Sequence, residues 1–541
     1  MKLLPPGVRP ADFSAALAQF AAVVGQDWVF TSDEDLDLYR DAYSPHWNEG
    51  EERRASAAVA PLDTAQVQAV VRIANRYRIP VFPISTGKNL GYGGSAPGYS
   101  GSVVIDLKRM NHIEVDDRRH FAIVGPGVSY FDLYHHIRAH KQKVWIDCPE
   151  PGWGSVIGNA MDRGIGWTVG GYRDHFRSHC GLEVVTATGE LIRTGMGAMP
   201  KADSWGQYSY GFGPYVDGLF SQGNFGIVTK MGISLLPEPE AYLTGTVHVK
   251  RRGDLVPLVD VVNALEHADL IGLPLYDSQL ARDVSPELMA LLGRAGGPVD
   301  AALDRYAEQK GVPSWEVTLA FYGPRETVAA NWAYAKRKVL ERMPDATFKD
   351  GPLFTFPLSD ADMEKVPYRV AIGVPNLDAF QLAARTPWNP RPAGGHLLFA
   401  PVIPKTGEAA LEATRFQAEV YSGDNGQPGL NPWYLPPGAW LHHSFVAVLG
   451  FGVSREDPAL NARSRRNFER AVKLAAEKGW GEYRATPVFS DLIADTYSFN
   501  QHSLRRFTEA MKDAVDPNGI IAPGRGGIWP RHLRKTRRTG A

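Results

Sequence analysis

The sequence predicts an α+β fold divided into more than one domain. The chain has 541 residues, which is too long for one ordinary hydrophobic core, so we expect two or three domains. From about residue 58, short apolar runs typical of buried strands alternate with apolar residues at helical spacing. Other runs alternate across turns, so both parallel and antiparallel strands are expected. A hydrophobic content of 44% is typical of a soluble globular protein.

Charge and composition exclude several functional classes. The formal net charge is -1, so no overall charge attracts nucleic acid or a membrane surface. No run of 18 apolar residues occurs, and we therefore expect no transmembrane helix. The opening MKLLPPGVRPADF has prolines where a signal peptide needs an unbroken apolar core. The two cysteines, Cys148 and Cys180, exclude a disulfide-stapled fold and predict a cytoplasmic protein in which both are structural.

The elements of the first part follow from spacing and turn residues. Asp63 offers an N-cap, and the apolar residues Val67, Val70, Val71 and Ala74 then follow at helical spacing. PVFPIS and GSVVIDL predict buried strands on either side of a glycine-rich loop, and YFDLYHHIRAH predicts a helix. LEVVTATGELIRTG alternates around a turn at 187–189 and predicts a β-hairpin, and GIVTKMGISLLP predicts another strand pair.

After LPEPEAY the character of the sequence changes. Residues from about 240 to 480 contain longer helical stretches, such as DLVPLVDVVNALEHA and ETVAANWAYAKRKVLERM, with apolar strands between them. This pattern predicts a second domain. Its loop at 421–440 is rich in glycine, proline and aromatic residues. The final RHLRKTRRTGA is basic, and we expect a solvated, disordered end there.

The glycine-rich loop FPISTGKNLGYGGSAP, residues 82–97, invites a phosphate-binding interpretation. It is not a P-loop, because Phe82 stands where that motif needs glycine and Asn89 where it needs serine or threonine. The spacing of its glycines also excludes the G-x-G-x-x-G fingerprint. Successive backbone N–H groups can still form a concave anion site. A tight turn is the alternative.

Seven segments taken together resemble the vanillyl-alcohol oxidase and para-cresol methylhydroxylase (PCMH) family of flavoenzymes. They are PISTGKNLGYGGSAP, GSVIGNAMDRGIGW, GLEVVTATGELIRTGMGAMP, YGFGPYVDGLFSQGNFGIVTKMGISLLP, GHLLFAP, GWGEYR and AVDPNGIIAPGRGGIWP. Their order and rough spacing match from about residue 55 to residue 530. The resemblance implies an α+β fold in which a two-piece PCMH-type FAD-binding domain, 1–238 and 483–541, surrounds an α+β cap (substrate) domain, 239–482. It also implies a homodimer or higher homo-oligomer.

The resemblance implies which residues hold FAD. The glycine-rich loop matches the family's pyrophosphate loop, a second glycine-rich segment at 154–166 lines more of the cofactor, and a later strand contacts the adenine side. The implied residues are Pro83, Ser85, Thr86, Gly87, Lys88, Asn89, Leu90, Gly91, Ser155, Gly158, Asn159, Ile227, Val228 and Arg525.

His396, in AGGHLLFAP, matches the histidine that the family's oxidases link covalently to the flavin 8α-methyl group. The chemistry needs a neutral imidazole nitrogen that can attack an electrophilic quinoid methyl group. The alternative for a lone histidine is a buried residue with satisfied hydrogen bonds. His46 lies near the position of a histidine that assists this attachment in some members.

Tyr92, Tyr483 and Arg484 match residues that grip a phenolate oxygen in the family. A free phenol has a pKa of roughly 10 and is neutral at pH 7. A nearby arginine can lower the pKa of an acid by about 1–3 units, and hydrogen bonds to the anion add to that effect. The resemblance therefore implies that these three residues are catalytic. A surface ion-pair partner is the alternative for a Tyr-Arg pair alone.

Asp174, in GGYRDHF, matches the family's acid near flavin N5, which can activate water or accept a substrate proton. Here Arg173 replaces a glycine and the segment before Asp174 is about two residues longer than in the oxidases. Arg173 can either favour the charged carboxylate or turn away from it. A plain loop aspartate is the alternative interpretation of Asp174.

The implied substrate pocket contains Leu398 and His442 together with Tyr92, Tyr483 and Arg484. We predict no metal site. Adjacent side chains such as His442 and His443 rarely converge on one ion, and His136 and His140 lack the glutamate of an H-E-x-x-H motif.

The resemblance implies FAD-dependent oxidation of para-substituted phenols. Hydride leaves the α-carbon for flavin N5 to give a quinone methide, and O2 reoxidises the flavin to give H2O2. Candidate substrates are 4-hydroxybenzyl alcohols, 4-alkylphenols and 4-allylphenols, and the loop at 421–440 favours methoxylated phenols of lignin type. Transfer of electrons to a cytochrome is the alternative outcome. Oxidation of a hydroxy acid or a sugar, and a flavin-holding protein without activity, are further alternatives.

Overall fold

The computed structural model describes residues 3–283, 285–294, 299–378, 394–421 and 431–534. The first segment, up to residue 238, contains the helices α1 Pro10–Val24, α2 Asp33–Asp37, α3 Thr64–Tyr77, α4 Tyr130–Ala139, α5 Val156–Met161, α6 Gly170–Arg173, α7 His175–Ser178 and α8 Asp217–Phe220. Its strands are β1 Val29–Phe30, β2 Ala57–Val59, β3 Val81–Ile84, β4 Val103–Asp106, β5 Ile113–Asp116, β6 Phe121–Val124, β7 Val144–Trp145, β8 His179–Val185, β9 Leu191–Arg193, β10 Ile227–Ser234 and β11 Leu236–Pro237.

The rest of the chain contains a second set of elements. Its strands are β12 Ala241–Val249, β13 Leu275–Asp277, β14 Trp315–Gly323, β15 Thr347–Thr355, β16 Gly394–Phe399, β17 Pro401–Pro404, β18 Ser444–Val446, β19 Leu449–Ser454 and β20 Gly481–Glu482. Its helices are α9 Leu255–His267, α10 Pro286–Arg294, α11 Asp300–Lys310, α12 Arg325–Arg342, α13 Asp360–Met363, α14 Gly407–Val420, α15 Pro458–Glu477, α16 Ser490–Thr496 and α17 Phe499–Val515.

The first segment contains both parallel and antiparallel strands, as predicted, in two larger sheets besides the strand pair β11-β7. One has the order β1-β2-β4-β3, with β2 and β3 both parallel to β4. The other has the order β5-β6-β10-β8-β9 and is antiparallel. Helix α3 connects β2 to β3. It begins at the predicted N-cap, where the Asp63 side chain accepts from the Gln66 N–H, and the predicted apolar face is buried.

Most of the predicted elements are confirmed, with one correction. The hairpin is confirmed, because β8 and β9 pair antiparallel across the turn. The strand pair predicted for GIVTKMGISLLP is wrong. Residues 227–234 form one long strand that pairs with both β6 and β8, and β11 turns away to pair with β7. A strand with partners on both edges has no free edge for its neighbour in sequence, which explains the difference.

The second part of the chain forms its own core. The sheet β13-β14-β12-β15 lies against α9 and α12, which share one apolar cluster with α14 and α15. The first segment has two further clusters, one around each sheet. Residues near the C-terminus return to the first of these: Ile520 and Ile521 are buried there, and Val81 forms a bridge with Ile521. The boundaries at 238 and 482 stay predictions.

No helix within the described ranges is both long enough and apolar enough to cross a membrane. Both cysteines are buried free thiols. Most of the 421–440 loop, residues 422–430, and the end of the basic tail from residue 535 lie outside the described residues.

Candidate active site

A cavity of about 540 Å³ lies where the glycine-rich loop, the segment around α5 and the strand β16 meet. Most of the sequence-predicted residues line it. They are Pro83, Ser85, Thr86, Gly87, Lys88, Asn89, Leu90, Tyr92, Ser155, Gly158, Asn159, Ile227, Val228, His396, Leu398, Tyr483, Arg484 and Arg525. Four predicted residues are not among the lining: Gly91, His46, Asp174 and His442.

The glycine-rich loop reaches from β3 to the strand that carries His396. Gly91 has a φ of +82°, a left-handed conformation that favours glycine. A Cβ atom there would lie 3.1 Å from His396 Cδ2, and the Gly91 carbonyl accepts from the Leu398 N–H at 3.4 Å. Gly91 therefore shapes the site by letting the loop approach β16 closely.

The start of α5 closes against the same loop. The Ser155 hydroxyl caps this helix by accepting from the Gly158 N–H at 3.1 Å, and it donates to the Pro126 carbonyl at 2.7 Å. A Cβ atom at Gly158 would lie only 2.3 Å from Ser85 Oγ. Glycine at 158 thus leaves room for the Ser85 hydroxyl where the two segments that form this wall approach each other.

Asp162 joins the first and last segments of the chain at the cavity. Its carboxylate accepts from Asn89 Nδ2 at 2.7 Å and from Arg525 Nη2 at 2.8 Å. Two parts of the predicted cofactor site, far apart in sequence, are therefore held by one buried carboxylate. The predicted cofactor residues fit FAD, because backbone N–H groups and the cations Lys88 and Arg525 line one part of the cavity and apolar side chains line another.

His396 lies on β16, opposite Gly452 of β19. Burial lowers the pKa of its imidazole to about 4, so the ring is neutral at pH 7. The Tyr43 ring packs against it with a centroid distance of 5.0 Å. A side chain at Gly395 would collide with Tyr43, which explains the glycine before the histidine. His46 is instead paired with Glu49, with Nδ1 3.0 Å from the carboxylate.

Tyr92, Tyr483 and Arg484 meet at the cavity wall. The guanidinium carbon of Arg484 lies 4.2 Å from the Tyr92 ring centroid and 5.3 Å from that of Tyr483. Burial raises the pKa of both tyrosines, although the Arg484 charge opposes this. Burial disfavours the charge on Arg484, but Tyr483, Tyr92 and Asp162 outweigh it and raise its pKa. The tyrosines therefore stay protonated donors and the arginine stays charged.

Comparison with known proteins supports a flavoprotein. Residues 55–195 match the family model described as FAD binding domain. The chain is 32% identical over 534 residues to the flavoprotein subunit of 4-cresol dehydrogenase (hydroxylating) from Pseudomonas putida, covering 97% of this chain and 98% of that protein.

The chain belongs to the vanillyl-alcohol oxidase and para-cresol methylhydroxylase family. Two solved structures agree in fold along almost the whole chain. The 4-ethylphenol oxidase from Gulosibacter chungangensis has a TM-score of 0.82 at 33% identity, covering 98% of this chain and 100% of that one. The p-cresol methylhydroxylase structure has a TM-score of 0.80 at 31% identity, covering 97% and 99%. The protein is therefore a flavin-dependent oxidoreductase with FAD as its cofactor and the PCMH-type fold.

The sequence predicts Asp174 as the acid near the flavin, but Asp174 is not among the residues that line the cavity, whereas Asp162 and Glu150 are. Asp174 is half-buried and its Oδ1 accepts from the Arg177 N–H at 3.0 Å, so it caps α7. Glu150 lines the cavity, and burial, with a smaller contribution from Asp378, raises its pKa to about 7. A carboxyl between Pro149 and Pro151, directly before the glycine-rich segment, was the available signal for Glu150.

Arg173 pairs with Glu266 rather than with Asp174, which agrees with the second alternative above, that its side chain turns away from Asp174. Its guanidinium forms an ion pair with Glu266 of α9, and Lys405 Nζ lies 2.6 Å from the other Glu266 oxygen. All three side chains are buried. His442 lies beside this cluster, with Nδ1 3.8 Å from Glu266, and burial lowers its pKa. The predicted pocket histidine is therefore part of the contact between the two parts of the chain.

The remaining candidates have local roles. The His136 and His140 rings stack 4.2 Å apart on α4 and its C-cap. Among the described residues, His46, Glu49 and Glu51 could bring ligand atoms together, but Arg465 Nη1 lies 3.0 Å from Glu49 and neutralises that carboxylate. At the described end of the 421–440 loop, Trp440 lines the cavity and meets Trp167 edge-to-face at 6.3 Å.

Proposed function

We propose that this protein oxidises para-substituted phenols at the carbon attached to the para position. The substrates include 4-hydroxybenzyl alcohols, 4-alkylphenols and 4-allylphenols, with methoxylated phenols of lignin type among them. The observation that carries the proposal is the meeting of Tyr92, Tyr483 and Arg484 at the cavity wall. The names of the relatives, 4-cresol dehydrogenase and 4-ethylphenol oxidase, support it.

The cluster fits a phenolate oxygen. Arg484 supplies a fixed positive charge, and its Nε is buried and has no hydrogen-bond partner within the described part of the chain. The two tyrosine hydroxyls are donors at neutral pH, because burial holds their pKa high. A nearby arginine lowers the pKa of a bound acid by about 1–3 units. The phenol is thereby bound as its anion, which pushes electrons toward the para position.

Loss of a hydride from the α-carbon then converts the phenolate into a quinone methide. FAD supplies the acceptor for this hydride when bound, and O2 takes the two electrons to give H2O2. Water adds to the quinone methide of an alkylphenol to give an alcohol, whereas a benzylic alcohol gives the carbonyl compound directly. The neutral imidazole of His396 is suited to a covalent link to the flavin 8α-methyl group, and we include that link in the proposal.

Glu150 is the proposed acid-base residue in place of Asp174. With a pKa of about 7 and a position on the cavity wall, its carboxylate can accept the proton of a benzylic alcohol or of the attacking water. A base acts in its ionised form, so the rate should rise with pH through about 7. In a Glu150→Gln variant this limb should disappear and the rate should fall by about 100-fold. An unchanged profile would remove Glu150 from the mechanism.

A single-turnover experiment tests the function. The holoenzyme is mixed without oxygen with 4-ethylphenol or with 4-ethylanisole, whose oxygen cannot ionise, and the flavin absorbance is followed. We expect bleaching with the phenol only, followed by stoichiometric H2O2 when air is admitted. Equal bleaching by both compounds contradicts the phenolate step. Bleaching that oxygen does not reverse, but a cytochrome does, favours the dehydrogenase alternative.

The covalent link has its own test. After acid precipitation, we expect the yellow colour in the protein pellet, and in the supernatant for a His396→Ala variant. Colour in the supernatant for the unmodified protein contradicts the link. The homo-oligomeric state and the cytoplasmic location stay predictions.

A further inference from the structure

Glu482 lies directly behind the cavity wall, between two residues that line it. It ends β20, where it pairs with Pro401 of β17, and only 4% of the residue is exposed. Its carboxylate accepts from the backbone N–H of Arg484 at 3.0 Å and from the backbone N–H of Ala400. Ala400 and Arg484 both line the cavity, but Glu482 does not. One buried carboxyl therefore joins Ala400, the residue directly after the strand that carries His396, to the arginine of the tyrosine cluster.

The charge state of Glu482 acts on that cluster. Burial raises the pKa of Glu482 to about 7, against the backbone N–H donors of Ala400, Arg484 and Tyr483 and the Arg484 charge, which lower it. Its negative charge in turn raises the pKa of Tyr92 and Tyr483. At neutral pH the group is therefore near the midpoint of its titration, while it lies within electrostatic reach of the residues that hold the phenol oxygen.

The other elements around Glu482 contribute few charges. The glycine-rich loop places Tyr92 within electrostatic reach of Glu482, and β17 presents only the backbone of Pro401 to it. Tyr497, which follows α16, donates to the Glu482 carbonyl at 2.7 Å, and its own pKa is raised by burial and by Glu482. The Asp162 charge acts on Arg484 and Tyr483, and the Asp174 charge also acts on Tyr483. Arg484 is the cation that acts on Glu482.

We propose that Glu482 is a positioning residue that also couples phenol binding to proton uptake: when a phenol binds at Arg484 as its anion, Glu482 takes up a proton. The inference rests on the proposed function. The phenol O–H bond breaks and its proton goes to solvent, while the Glu482 carboxylate accepts a proton and becomes neutral. The positive charge of Arg484 is then left to the phenolate alone.

Proton linkage gives the size of the effect. If the phenolate raises the pKa of Glu482 from about 7 to about 8, that group takes up about half a proton at pH 7.5. A phenol that binds as its anion at that pH loses about one proton, because its free pKa is roughly 10. Binding of the phenol at pH 7.5 therefore releases about half a proton when Glu482 can take one up, and about one proton when residue 482 cannot titrate.

The test is calorimetry of the FAD-loaded protein with 4-chlorophenol, which has no α-carbon to oxidise. Binding is measured at pH 7.5 in buffers of different ionisation enthalpy, which gives the number of protons released, and the ultraviolet difference spectrum reports whether the bound ligand is a phenolate. We expect partial release in the unmodified protein and about one proton in Glu482→Gln. Gln can still accept from one of the backbone N–H groups, and thermal unfolding checks its fold.

Glu150→Gln is the matched control, because Glu150 has a similar pKa and lines the cavity. We expect Glu150→Gln to release about half a proton when 4-chlorophenol binds, like the unmodified protein. This expectation can be checked even if Glu482→Gln does not fold. Equal proton counts in Glu482→Gln and the unmodified protein, with a phenolate spectrum in both, overturn the proposal for Glu482 alone. Full release in Glu150→Gln overturns it as well, since Glu150 would then be the acceptor. Absence of the phenolate spectrum in the unmodified protein overturns the proposed function together with this inference.

Discussion

Arg173 and Arg484 are both enclosed by the fold, yet their surroundings differ. Arg173 forms an ion pair with Glu266, which Lys405 also contacts, so its charge is matched by a carboxylate. Arg484 lies against the rings of Tyr92 and Tyr483 at the cavity wall, and among the described residues no carboxylate oxygen lies within 4 Å of its guanidinium. An arginine in direct contact with a carboxylate contributes to structure, whereas one that packs against protonated tyrosines without such a contact is available to a bound anion.

The largest effect should come from breaking the structural cluster. Arg173→Met leaves Glu266 with one cation instead of two, and loss of a buried ion-pair partner should lower the free energy of unfolding by about 3 kcal/mol. Thermal or denaturant unfolding measures this. Arg177→Met, at an exposed arginine of the same segment, is the control and should change stability little. Activity per folded molecule should survive in both variants, and a large loss of activity in Arg173→Met would make Arg173 functional.

At Arg484 we expect a large loss of activity. Arg484→Met should lower kcat/KM for 4-ethylphenol by about 100-fold, because a buried charge that pairs with the phenolate is lost. Arg484→Lys keeps the charge and should lose less. Steady-state kinetics at pH 7.5 measures both variants, and activity of Arg484→Met within a few fold of the unmodified protein would contradict the assignment.

A smaller effect should follow from removing one hydroxyl donor. Tyr92→Phe keeps the ring that packs against Arg484 but loses one hydrogen bond to the phenolate, so kcat/KM should fall by about tenfold. Tyr483→Phe should behave similarly. A loss confined to protein stability, with kinetics unchanged, would show that the hydroxyl does not contact the substrate.

The smallest effect is expected at Asp174. Asp174→Ala removes the N-cap of α7, which should cost about 1 kcal/mol of stability, and should leave kcat within a few fold. A loss of 100-fold or more in kcat, measured under saturating substrate, would restore Asp174 as the acid and exclude Glu150 from that role.

The residues predicted for the phosphate loop and for α5 lie in short segments whose shape is locally determined. The loop from Ser85 to Gly91 turns through glycines with positive φ, and Ser155 caps the helix that it begins. Such signals are visible in a few consecutive residues. His396, Tyr483 and Arg484 also lie on the cavity wall, as the family resemblance implied.

Other positions depend on tertiary packing that no local pattern contains. Whether Glu150 or Asp174 faces the cavity is decided by how the segment between them folds back, which pairs Ile165 with Asp174. The packing of Tyr43 against His396 brings together residues more than 350 positions apart. His442 lies beside Glu266 because α9 brings that carboxylate to it.

The most direct test of the account is the protonation state of a bound phenol. The ultraviolet difference spectrum of 4-chlorophenol is recorded at pH 7 with the FAD-loaded protein and with Arg484→Met. We predict the phenolate band with the unmodified protein and its loss in the variant, because Arg484 supplies the charge that lowers the phenol pKa. A neutral phenol bound to the unmodified protein would contradict the account.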